Sequence, residues 1–466
     1  MHVASVLLVC CAAVINGFSR ATFVSDEFTI RTYTPEVVSA PSPDVITDRV
    51  VGLQRRSSVL TVGSTYLRAL RRIKPANGIY SRVTTPPEAL LTPVEGGLIY
   101  IAPIQWGTQR FYSVIDTGSS DTWLAGTGFT CLDQANYSIL PEGACGFAST
   151  YTPTSTFSQI QGYNFNITYL DGEFLNGIMG YESLSFAGIN VPHQEVAVVN
   201  LAAWTGDGRS SGLIGLAYRT LTNAYPGANA SQDVPGSSVR YDPLLTTMFN
   251  SGLTNSSMFS LAVSRDPYQG GYLAIGGLPP VPYSPHFART PITVLSVDNY
   301  GTPVNNPVYQ YYTININGFA YADRTSVQFN PLPTRNTLKL SLTNNNTLAV
   351  VDSGTSVVYL ANELAAKINA LFQPPATWNA DYGSWEVGCG SKPPVFGVDI
   401  SGKIFYVNPV DMIVQLKPSF CISGVQGNNG GFSILGDVWM RNVLAVFDVG
   451  AAEMRFAARE FYGLTW

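Results

Sequence analysis

Two short motifs in the chain place a carboxylate at the end of an apolar run. Val114-Ile-Asp-Thr-Gly-Ser-Ser recurs as Val350-Val-Asp-Ser-Gly-Thr-Ser, so that Asp116 and Asp352 occupy equivalent positions. The glycine that follows allows a tight turn and leaves no side chain beside the carboxylate. Two such carboxylates, brought face to face, cannot both ionise. They therefore share one proton, and one acts as a base while the other acts as an acid.

The residues around each aspartate repeat as well. Ser119 and Thr355 stand three residues after their aspartates and can donate hydrogen bonds to them. Each motif is followed at a distance by an apolar-apolar-Gly triplet, Leu213-Ile-Gly and Ile434-Leu-Gly. A lone Asp-Thr-Gly is equally an ordinary turn or a helix N-cap, but its repetition predicts two related halves, each with one reactive motif.

Strand signals dominate the chain from residue 95 onwards, which predicts a mostly β protein. Short β-branched or aromatic runs bounded by Gly or Pro indicate strands; they lie at residues 98–102, 111–115, 164–169, 259–263 and 271–275. Asn317-Gly318 between apolar residues predicts a hairpin. Helical periodicity is rare, and its best cases in this part of the chain are residues 242–249 and 362–372.

Length and composition predict two domains and argue against a nucleic-acid-binding or disordered chain. Hydrophobic residues make up 45% of the 466 residues and charged residues only 12%, whereas those classes usually carry more charge. The Pro-rich stretch at 278–285 is the expected boundary between the halves. We therefore predict an N-terminal lobe over residues 91–280 and a C-terminal lobe over residues 281–466.

The N-terminus predicts entry into the secretory pathway. Residues 1–17 are apolar and lack Lys, Arg, Asp and Glu, which is typical of a signal peptide, with a start-anchored helix as the alternative. No hydrophobic anchor ends the chain. Four cysteines remain after the signal peptide, and three disulfide pairings are open to them. Asn-X-Ser/Thr triplets, candidate glycosylation sites, occur at Asn136, Asn166, Asn229, Asn255 and Asn345.

Residues 18–90 form a basic leader ahead of an acidic body. They hold ten Lys/Arg and six Asp/Glu, whereas the rest of the chain holds 16 basic and 25 acidic residues. Opposite charges predict a pro-segment that binds its own body, and a disordered linker is the alternative. Arg55-Arg56 and Arg71-Arg72 are candidate dibasic processing sites.

The ordered blocks from about residue 92 to residue 466 resemble the pepsin family of aspartic proteases, in particular its secreted microbial members. The resemblance rests on the blocks that contain Asp116 and Asp352, on Ile167-Thr-Tyr-Leu-Asp-Gly, on Gly212-Leu-Ile-Gly-Leu-Ala-Tyr, and on the run from Phe432 to Asp448. It implies a bilobed fold of two β-barrel-like lobes that flank a central cleft. It also implies an endopeptidase that needs neither cofactor nor metal.

The resemblance assigns roles to individual residues. Asp116 and Asp352 would hold the nucleophilic water, supported by Gly118, Ser119, Gly354 and Thr355, while Thr117 and Ser353 would brace the two loops against each other. Tyr169 would be the flap tyrosine that contacts substrate, next to Gly172, with Trp123 as its hydrogen-bond partner. Val114 and Leu213 would line a hydrophobic pocket. Asp171 would either allow lysine there as well or be only a turn residue before Gly172. The cysteine order implies the pairs Cys131–Cys145 and Cys389–Cys421.

The sequence departs from the family pattern in four places. Leu170 stands where the flap usually has Gly, one extra residue precedes Gly177, Ser353 replaces the commoner Thr, and the leader lacks a clear match to the family's pro-segment. Lys74, the only lysine of the leader, is the candidate to cap the aspartates. The expected partners are protein or peptide substrates and the chain's own pro-segment, with no nucleic acid and no membrane anchor. The expected state is a monomer that is secreted, or alternatively sent to the vacuolar lumen.

Three alternative functions are less consistent with the sequence. Gly208-Arg-Ser-Ser-Gly212 fits the nucleophile pattern of a serine hydrolase, but the strand-rich surroundings are wrong for that fold. A metalloprotease is disfavoured because the chain has no His-Glu-X-X-His. A catalytically inactive family member that binds protein is the non-enzyme alternative, although such homologues typically lose one aspartate or the flap tyrosine, and this chain keeps Asp116, Asp352 and Tyr169.

Overall fold

The computed structural model describes residues 47, 49–55, 99–169, 172–234, 236–265, 270–297, 303–323, 341–343, 346–380, 382–417 and 419–459. The predicted signal peptide, most of the predicted pro-segment, Lys74, the Arg71-Arg72 pair, Leu170, Asp171 and Asn345 lie outside these residues.

Strands make up most of the regular structure. In the N-terminal half they are β1 (Val50–Arg55), β2 (Tyr100–Trp106), β3 (Gln109–Asp116), β4 (Thr122–Leu132), β5 (Ile139–Leu140), β6 (Ser158–Thr168), β7 (Phe174–Phe186), β8 (Ile189–Ala203), β9 (Gly212–Gly215), β10 (Ala224–Pro226), β11 (Met258–Val263) and β12 (Gly271–Ile275).

The C-terminal half continues the series in shorter strands. They are β13 (Ala288–Pro291), β14 (Leu295–Val297), β15 (Pro303–Val308), β16 (Thr313–Ile316), β17 (Gly318–Ala322), β18 (Ser341–Leu342), β19 (Thr347–Val351), β20 (Val358–Leu360), β21 (Thr377–Asn379), β22 (Ser384–Val387), β23 (Val395–Ile400), β24 (Lys403–Tyr406), β25 (Ile413–Lys417), β26 (Phe420–Ser423), β27 (Val425–Gly427), β28 (Ser433–Leu435), β29 (Val443–Asp448) and β30 (Glu453–Ala458).

Helices are short in the part of the chain that the structure describes. The α-helices are α1 (Leu244–Asn250), α2 (Asn362–Asn369) and α3 (Asp437–Met440). The 3-10 turns span Glu142–Cys145, Arg219–Leu221, Ala230–Gln232 and Pro409–Met412. Both helices that the sequence predicts are confirmed as α1 and α2.

The strands of the first lobe close into a barrel. The strands β7, β8, β4, β9, β3 and β2 are neighbours in this order, and a further pairing of β7 with β2 completes the ring. That last pairing joins Gln105 to Ser185 and Trp106 to Leu184. Closure removes the exposed edges that an open sheet would have. The interior is filled by large apolar side chains such as Trp106, Tyr151 and Phe186, each at most 1% exposed.

The second lobe is built from smaller sheets. Its main sheet has the order β16-β19-β28-β20-β27, beside two four-stranded sheets, β18-β17-β23-β24 and β21-β22-β26-β25. The predicted Asn317-Gly318 hairpin is wrong. β16 pairs with β19 and β17 pairs with β23, so the chain passes from one sheet to another at this point. Glycine is needed here for space, because a Cβ on Gly318 would collide with the backbone of Thr343.

One sheet joins the two lobes and includes a strand from the leader. β1, β12, β11, β29, β30 and β13 are consecutive neighbours in the 15-stranded sheet that also contains the barrel. β1 pairs with β12 from Val50↔Ala274 to Leu53↔Gly271, and with β2 at Gln54↔Ile101 and Arg55↔Tyr100. Val51 and Leu53 are buried. Residues 50–55, predicted to belong to the pro-segment, are therefore a structural part of the folded body.

Candidate active site

The two aspartates lie at equivalent ends of the two lobes. β3 ends at Asp116 and runs parallel to β9, and the burial along β3 becomes continuous towards the aspartate. Asp352 directly follows β19, which runs parallel to β28. The apolar-apolar-Gly triplets form these parallel neighbours. The internal repeat therefore folds into two matching strand pairs, each of which ends in a carboxylate.

Each carboxylate accepts the same two hydrogen bonds from its own loop. Oδ1 of Asp116 accepts the backbone N–H of Gly118 at 2.7 Å, and Oδ2 accepts the hydroxyl of Ser119. Oδ1 of Asp352 accepts the N–H of Gly354 at 2.9 Å, and Oδ2 accepts the hydroxyl of Thr355 at 2.6 Å. Both carboxylates are fully buried. These donors fix the plane of each carboxylate.

The two carboxylates lie against each other across the lobe interface. A Cβ placed on Gly118 would come within 2.7 Å of Oδ1 of Asp352, so only glycine leaves room for that carboxylate. Burial, and then the adjacent charge of Asp116, raise the pKa of Asp352 well above its ordinary value. Asp352 therefore retains a proton under conditions in which an ordinary carboxyl has lost it.

Side chains of the two loops cross between the lobes. The Thr117 hydroxyl donates to the carbonyl of Val351 at 3.0 Å and accepts the N–H of Ser353 at 2.9 Å. In return, the Ser353 hydroxyl donates to the carbonyl of Ile115 at 2.9 Å and accepts the N–H of Thr117 at 3.2 Å. The crossed bonds that the resemblance implies are thus present, and serine in place of threonine makes both of them.

The segment that the resemblance identifies as the flap is the hairpin formed by β6 and β7, and Tyr169 lies at its turn. The indole Nε1 of Trp123 donates to the hydroxyl of Tyr169 at 2.9 Å, which is the hydrogen bond that the resemblance implies. The ring of Trp204 contacts Tyr169 edge-on at a centroid distance of 5.6 Å. Val114 and Leu213 pair with each other in register and pack into the same apolar cluster as Tyr169.

A further buried carboxylate, Asp121, was not singled out from the sequence. It accepts the N–H of Asn223 at 2.9 Å, the amide Nδ2 of Asn223 at 2.7 Å and the hydroxyl of Tyr241 at 2.6 Å. Burial raises the pKa of Asp121 to about 6, although these three donors act in the opposite direction. Burial and the charges of Asp121 and Asp242 raise the pKa of Glu195 to about 7. The sequence contained a signal for Asp121, because this residue follows Asp116 by five positions in the same motif.

Both implied disulfides are confirmed. Cys131 pairs with Cys145 and Cys389 pairs with Cys421, so each bridge closes a loop within one lobe.

The candidate glycosylation sites differ in their surroundings. Asn136, Asn229 and Asn255 are exposed. The amide nitrogen of Asn166 instead donates to the carbonyl of Ala230 at 3.3 Å and to Asp233 at 2.9 Å. A glycan on that nitrogen would replace one of its two hydrogens, so both bonds could not form together.

The serine-hydrolase reading has no support in the site geometry. Ser210 and Ser211 are buried in the segment that leads into β9, and the hydroxyl of Ser210 donates to Asp207 at 2.8 Å. The segment is a turn between two strands, not the strand-to-helix elbow that exposes a nucleophilic serine. Among the described residues there is no group of three or more His, Cys, Asp or Glu that could hold a metal ion, and no helix long and apolar enough to cross a membrane.

The family follows from the match of the whole body. The family model for eukaryotic aspartyl protease matches residues 99–459, which contain both aspartates, the flap and both disulfides. This chain belongs to the eukaryotic aspartyl protease family. It is an aspartic-type peptidase, and the bilobed, mostly β fold expected from the sequence is confirmed.

Named relatives are similar over most of the protein. A probable aspartic-type endopeptidase of Aspergillus fumigatus is 36% identical over 442 residues, covering 92% of each chain. Penicillopepsin-1 of Penicillium janthinellum is 22% identical, with 78% of this chain and 97% of that protein covered. The crystal structure of an aspartic proteinase from Irpex lacteus matches the fold with a TM-score of 0.56 at 18% identity, covering 78% of this protease and 95% of that chain.

Proposed function

We propose that the protease hydrolyses peptide bonds with a shared-proton dyad of Asp116 and Asp352. The observation that carries the proposal is the mutual contact of two fully buried carboxylates with matching donors. Burial, and then the charge of Asp116, raise the pKa of Asp352. Such a pair holds one proton between two carboxylates, which is the protonation state that acid–base catalysis on a water requires.

The mechanism assigns opposite duties to the two aspartates. Ionised Asp116 accepts a proton from a water molecule as its oxygen bonds to the scissile carbonyl carbon. Protonated Asp352 gives its proton to the carbonyl oxygen, which yields a neutral tetrahedral diol. The amide nitrogen then takes the proton held by Asp116 as the C–N bond breaks, and a diol hydroxyl returns its proton to Asp352. The net reaction is one peptide and one water to one acid and one amine.

We expect the protease to work at acid pH, and the raised pKa of Asp352 carries its activity to a higher pH than an ordinary carboxyl would allow. Raising pH through that pKa removes the proton that the carbonyl oxygen needs, and lowering it far enough protonates Asp116 as well. The rate is therefore bell-shaped, and its falling arm at higher pH belongs to the dyad as a pair.

The apolar surroundings of the flap tyrosine support a preference for large hydrophobic side chains next to the scissile bond. Val114 and Leu213 belong to the cluster beneath Tyr169. Asp171, which lies outside the described residues, would add a modest acceptance of lysine by pairing with its ammonium group. Comparison of Lys and Leu peptides in wild type and Asp171→Ser tests this addition, because the Lys/Leu ratio of kcat/KM should fall about threefold.

The leader and the secretory signals complete the proposal. Residues 1–17 direct secretion, extracellular or vacuolar, and residues 18–90 act as an inhibitory pro-segment ahead of lobes at 91–280 and 281–466. Acid protonates the body's carboxylates and so weakens the charge attraction that holds the leader. Complete release of the leader also requires β1 to leave its sheet. Glycosylation is proposed at Asn136, Asn229 and Asn255, whose side chains are exposed. The mature enzyme is proposed to be a monomer.

Substitution of each aspartate tests the dyad. Asp116→Asn and Asp352→Asn keep the side-chain size but end proton sharing. Because each change removes acid–base catalysis, kcat should fall by about 1,000-fold or more. Asp448→Asn is a matched control, because Asp448, the last residue of β29, is also buried but accepts a hydrogen bond from Arg455 in β30. It should lower stability and leave the kcat of the folded protein intact. Substantial activity in either dyad variant would contradict the assignment.

A further inference from the structure

A disulfide-closed loop lies beside the flap and carries an exposed tyrosine at its tip. The loop runs from Asp133 to Leu140, between the ends of β4 and β5, and the Cys131–Cys145 bridge closes it. Tyr137 is 63% exposed and contacts the ring of Phe174, the first residue of β7, at a centroid distance of 5.7 Å. We propose that Tyr137 is a positioning residue for the flap, holding Phe174 and thereby Tyr169 in place over the cleft.

The loop is rigid enough to act as a support. Asp133 accepts the N–H of Ala135 at 2.9 Å and the N–H of Asn136 at 3.1 Å with one carboxylate oxygen. The N–H of Asp133 donates to the carbonyl of Ser138 at 2.8 Å, and the N–H of Tyr137 donates to the carbonyl of Asp133 at 2.8 Å. These bonds order the loop from within, so a contact that it makes is held in one place.

Tyr137 occupies a backbone conformation that its side chain does not favour. Its φ of 58° lies in the left-handed region, where Gly and Asn are the usual residues and where a bulky residue is costly. Strained positions of this kind cluster at functional sites. A tyrosine kept there, with its ring against the flap, points to a use for the ring.

The contact lies close to the residue that it would position. Phe174 pairs with Thr168, the residue before Tyr169. The N–H of Tyr169 donates to the carbonyl of Glu173 at 2.7 Å, and the Glu173 carboxylate accepts the N–H of Thr205 at 2.7 Å. The flap beside Tyr169 is thus attached to the segment after β8 through Glu173 and to the loop through Phe174.

A second contact of the same loop supports this arrangement. Gly172, at the turn of the flap, adopts a φ of 86°, and a Cβ built there would lie 3.2 Å from the amide nitrogen of Gln134. The loop therefore meets the flap at its turn and at the start of β7. A displacement of Phe174 would move the hairpin edge that carries the Glu173 carbonyl, and Tyr169 with it.

The test compares Tyr137→Ala with a matched control in the other lobe. Tyr382 is 44% exposed and contacts Phe420 at 5.6 Å with nearly the same ring angle, so Tyr382→Ala removes an equivalent aromatic pair far from the flap. Tyr137→Ala removes the ring by a single substitution, and it preserves the candidate glycosylation triplet Asn136-X-Ser138. Tyr137→Phe keeps the ring and serves as the rescue.

Steady-state kinetics give the first readout. We expect Tyr137→Ala to raise KM about threefold, in line with the strength of one aromatic pair, with kcat and the pH profile unchanged and the melting temperature lowered no more than in Tyr382→Ala. Tyr137→Phe and Tyr382→Ala should have the KM of wild type. An unchanged KM in Tyr137→Ala, or an equal rise in Tyr382→Ala, overturns the proposal.

Hydrogen exchange gives a second readout that does not depend on activity. The inference rests on the flap role proposed above, but exchange can be measured even in the inactive Asp116→Asn background. The amides of Tyr169 and Gly172, both hydrogen-bonded within the flap turn, should exchange about threefold faster in Tyr137→Ala and at the wild-type rate in Tyr382→Ala. Unaltered exchange of these amides would overturn the positioning role of Tyr137. If exchange is faster but the protein with both aspartates intact has no peptidase activity, only the proposed function is refuted.

Discussion

The hydroxyls of Thr117 and Ser353 fix the position of the two aspartate loops relative to each other. Each hydroxyl accepts an N–H and donates to a carbonyl of the opposite loop, and all four partner atoms belong to fully buried residues. Because a buried N–H or C=O without a partner is costly, the two loops are held where all four bonds can form. The separation of the two carboxylates is a consequence of these bonds.

Ser353→Ala should weaken both stability and catalysis. The change leaves the carbonyl of Ile115 and the N–H of Thr117 without their partner, so the free energy of unfolding should fall by about 2 kcal/mol. The dyad should lose alignment, and kcat should fall roughly tenfold. Ser353→Thr keeps the hydroxyl and should stay near wild type. Urea unfolding and kcat measurements check both variants, and a kcat in Ser353→Ala equal to that of Ser353→Thr would contradict the bracing role.

Asp121 and Glu195 should make the protease less stable as pH rises. Their folded pKa values, about 6 and about 7, lie above their ordinary values of 3.8 and 4.5. The folded state therefore binds more protons than the unfolded state between these limits, and stability that is complete near pH 4 is lost as pH rises to 7. For Asp121, which is fully buried, the loss amounts to about 2 kcal/mol.

Melting temperatures between pH 4 and pH 7 test this dependence. Asp121→Asn and Glu195→Gln each remove one titrating group, so each should flatten the fall of the melting temperature over that range. The fall should be smallest in the double variant. A wild-type slope that survives in the double variant would assign the pH dependence to other carboxylates.

At the scale of elements, the two disulfides close loops with different neighbours. The Cys131–Cys145 loop meets the flap, whereas the bridge between Cys389 and Cys421 joins the segment after β22 to β26 in the second lobe. A disulfide stabilises through the loop that it closes, and a sequence separation of 14 or 32 gives about 3 and about 4 kcal/mol, respectively. The two bridges thus contribute similar amounts to the stability of the protein, but only the Cys131–Cys145 bridge closes a loop that contacts the flap.

Removal of each bridge should separate these two effects. Replacement of both members of either pair by alanine should lower the free energy of unfolding by about 3 to 4 kcal/mol. Only the Cys131/Cys145 variant should also raise KM, because its loop carries Tyr137. Guanidinium unfolding and peptide kinetics on the same preparations provide the comparison, and a KM effect in the Cys389/Cys421 variant alone would oppose it.

The sequence predicts features that are local or repeated, and it misses those that depend on distant contacts. The repeat around Asp116 and Asp352 predicts two equivalent strand ends because each copy carries its own glycine and hydroxyl. The hairpin predicted at Asn317-Gly318 is wrong because each flanking strand finds a better partner far along the chain. The contacts of Asp121 with Tyr241 and of Tyr137 with Phe174 involve residues that share no local pattern, so only the folded structure brings them together.

At the scale of the whole molecule, the sheet that joins the lobes depends on β1. This strand has neighbours on both sides, β12 and β2, and Leu53 within it is only 2% exposed. A strand at the centre of a sheet contributes hydrogen bonds along two edges as well as buried apolar surface. The leader is therefore part of what holds the uncleaved protein together.

Leu53→Ala in the uncleaved chain measures that contribution. Deleting a buried leucine side chain typically costs 2–5 kcal/mol, and we expect a loss of about 3 kcal/mol in the free energy of unfolding. Val50→Ala, at a half-buried position of the same strand, should cost less than half as much. If chemical denaturation shows that neither change lowers the free energy of unfolding, β1 contributes little to the stability of the uncleaved chain.

The position of β1 along the chain also affects how the protein is made. The strand leaves the ribosome early, but its register partner for Val50 is Ala274, and β29 and β30 complete the same sheet close to the end of the chain. At about 5–20 residues per second, synthesis keeps β1 waiting for at least ten seconds or so before β12 exists. Sheets with such distant partners form slowly. A mature enzyme that had shed this strand would have to rebuild the sheet without it, so its working life would be set by how rarely it unfolds rather than by how well it can refold.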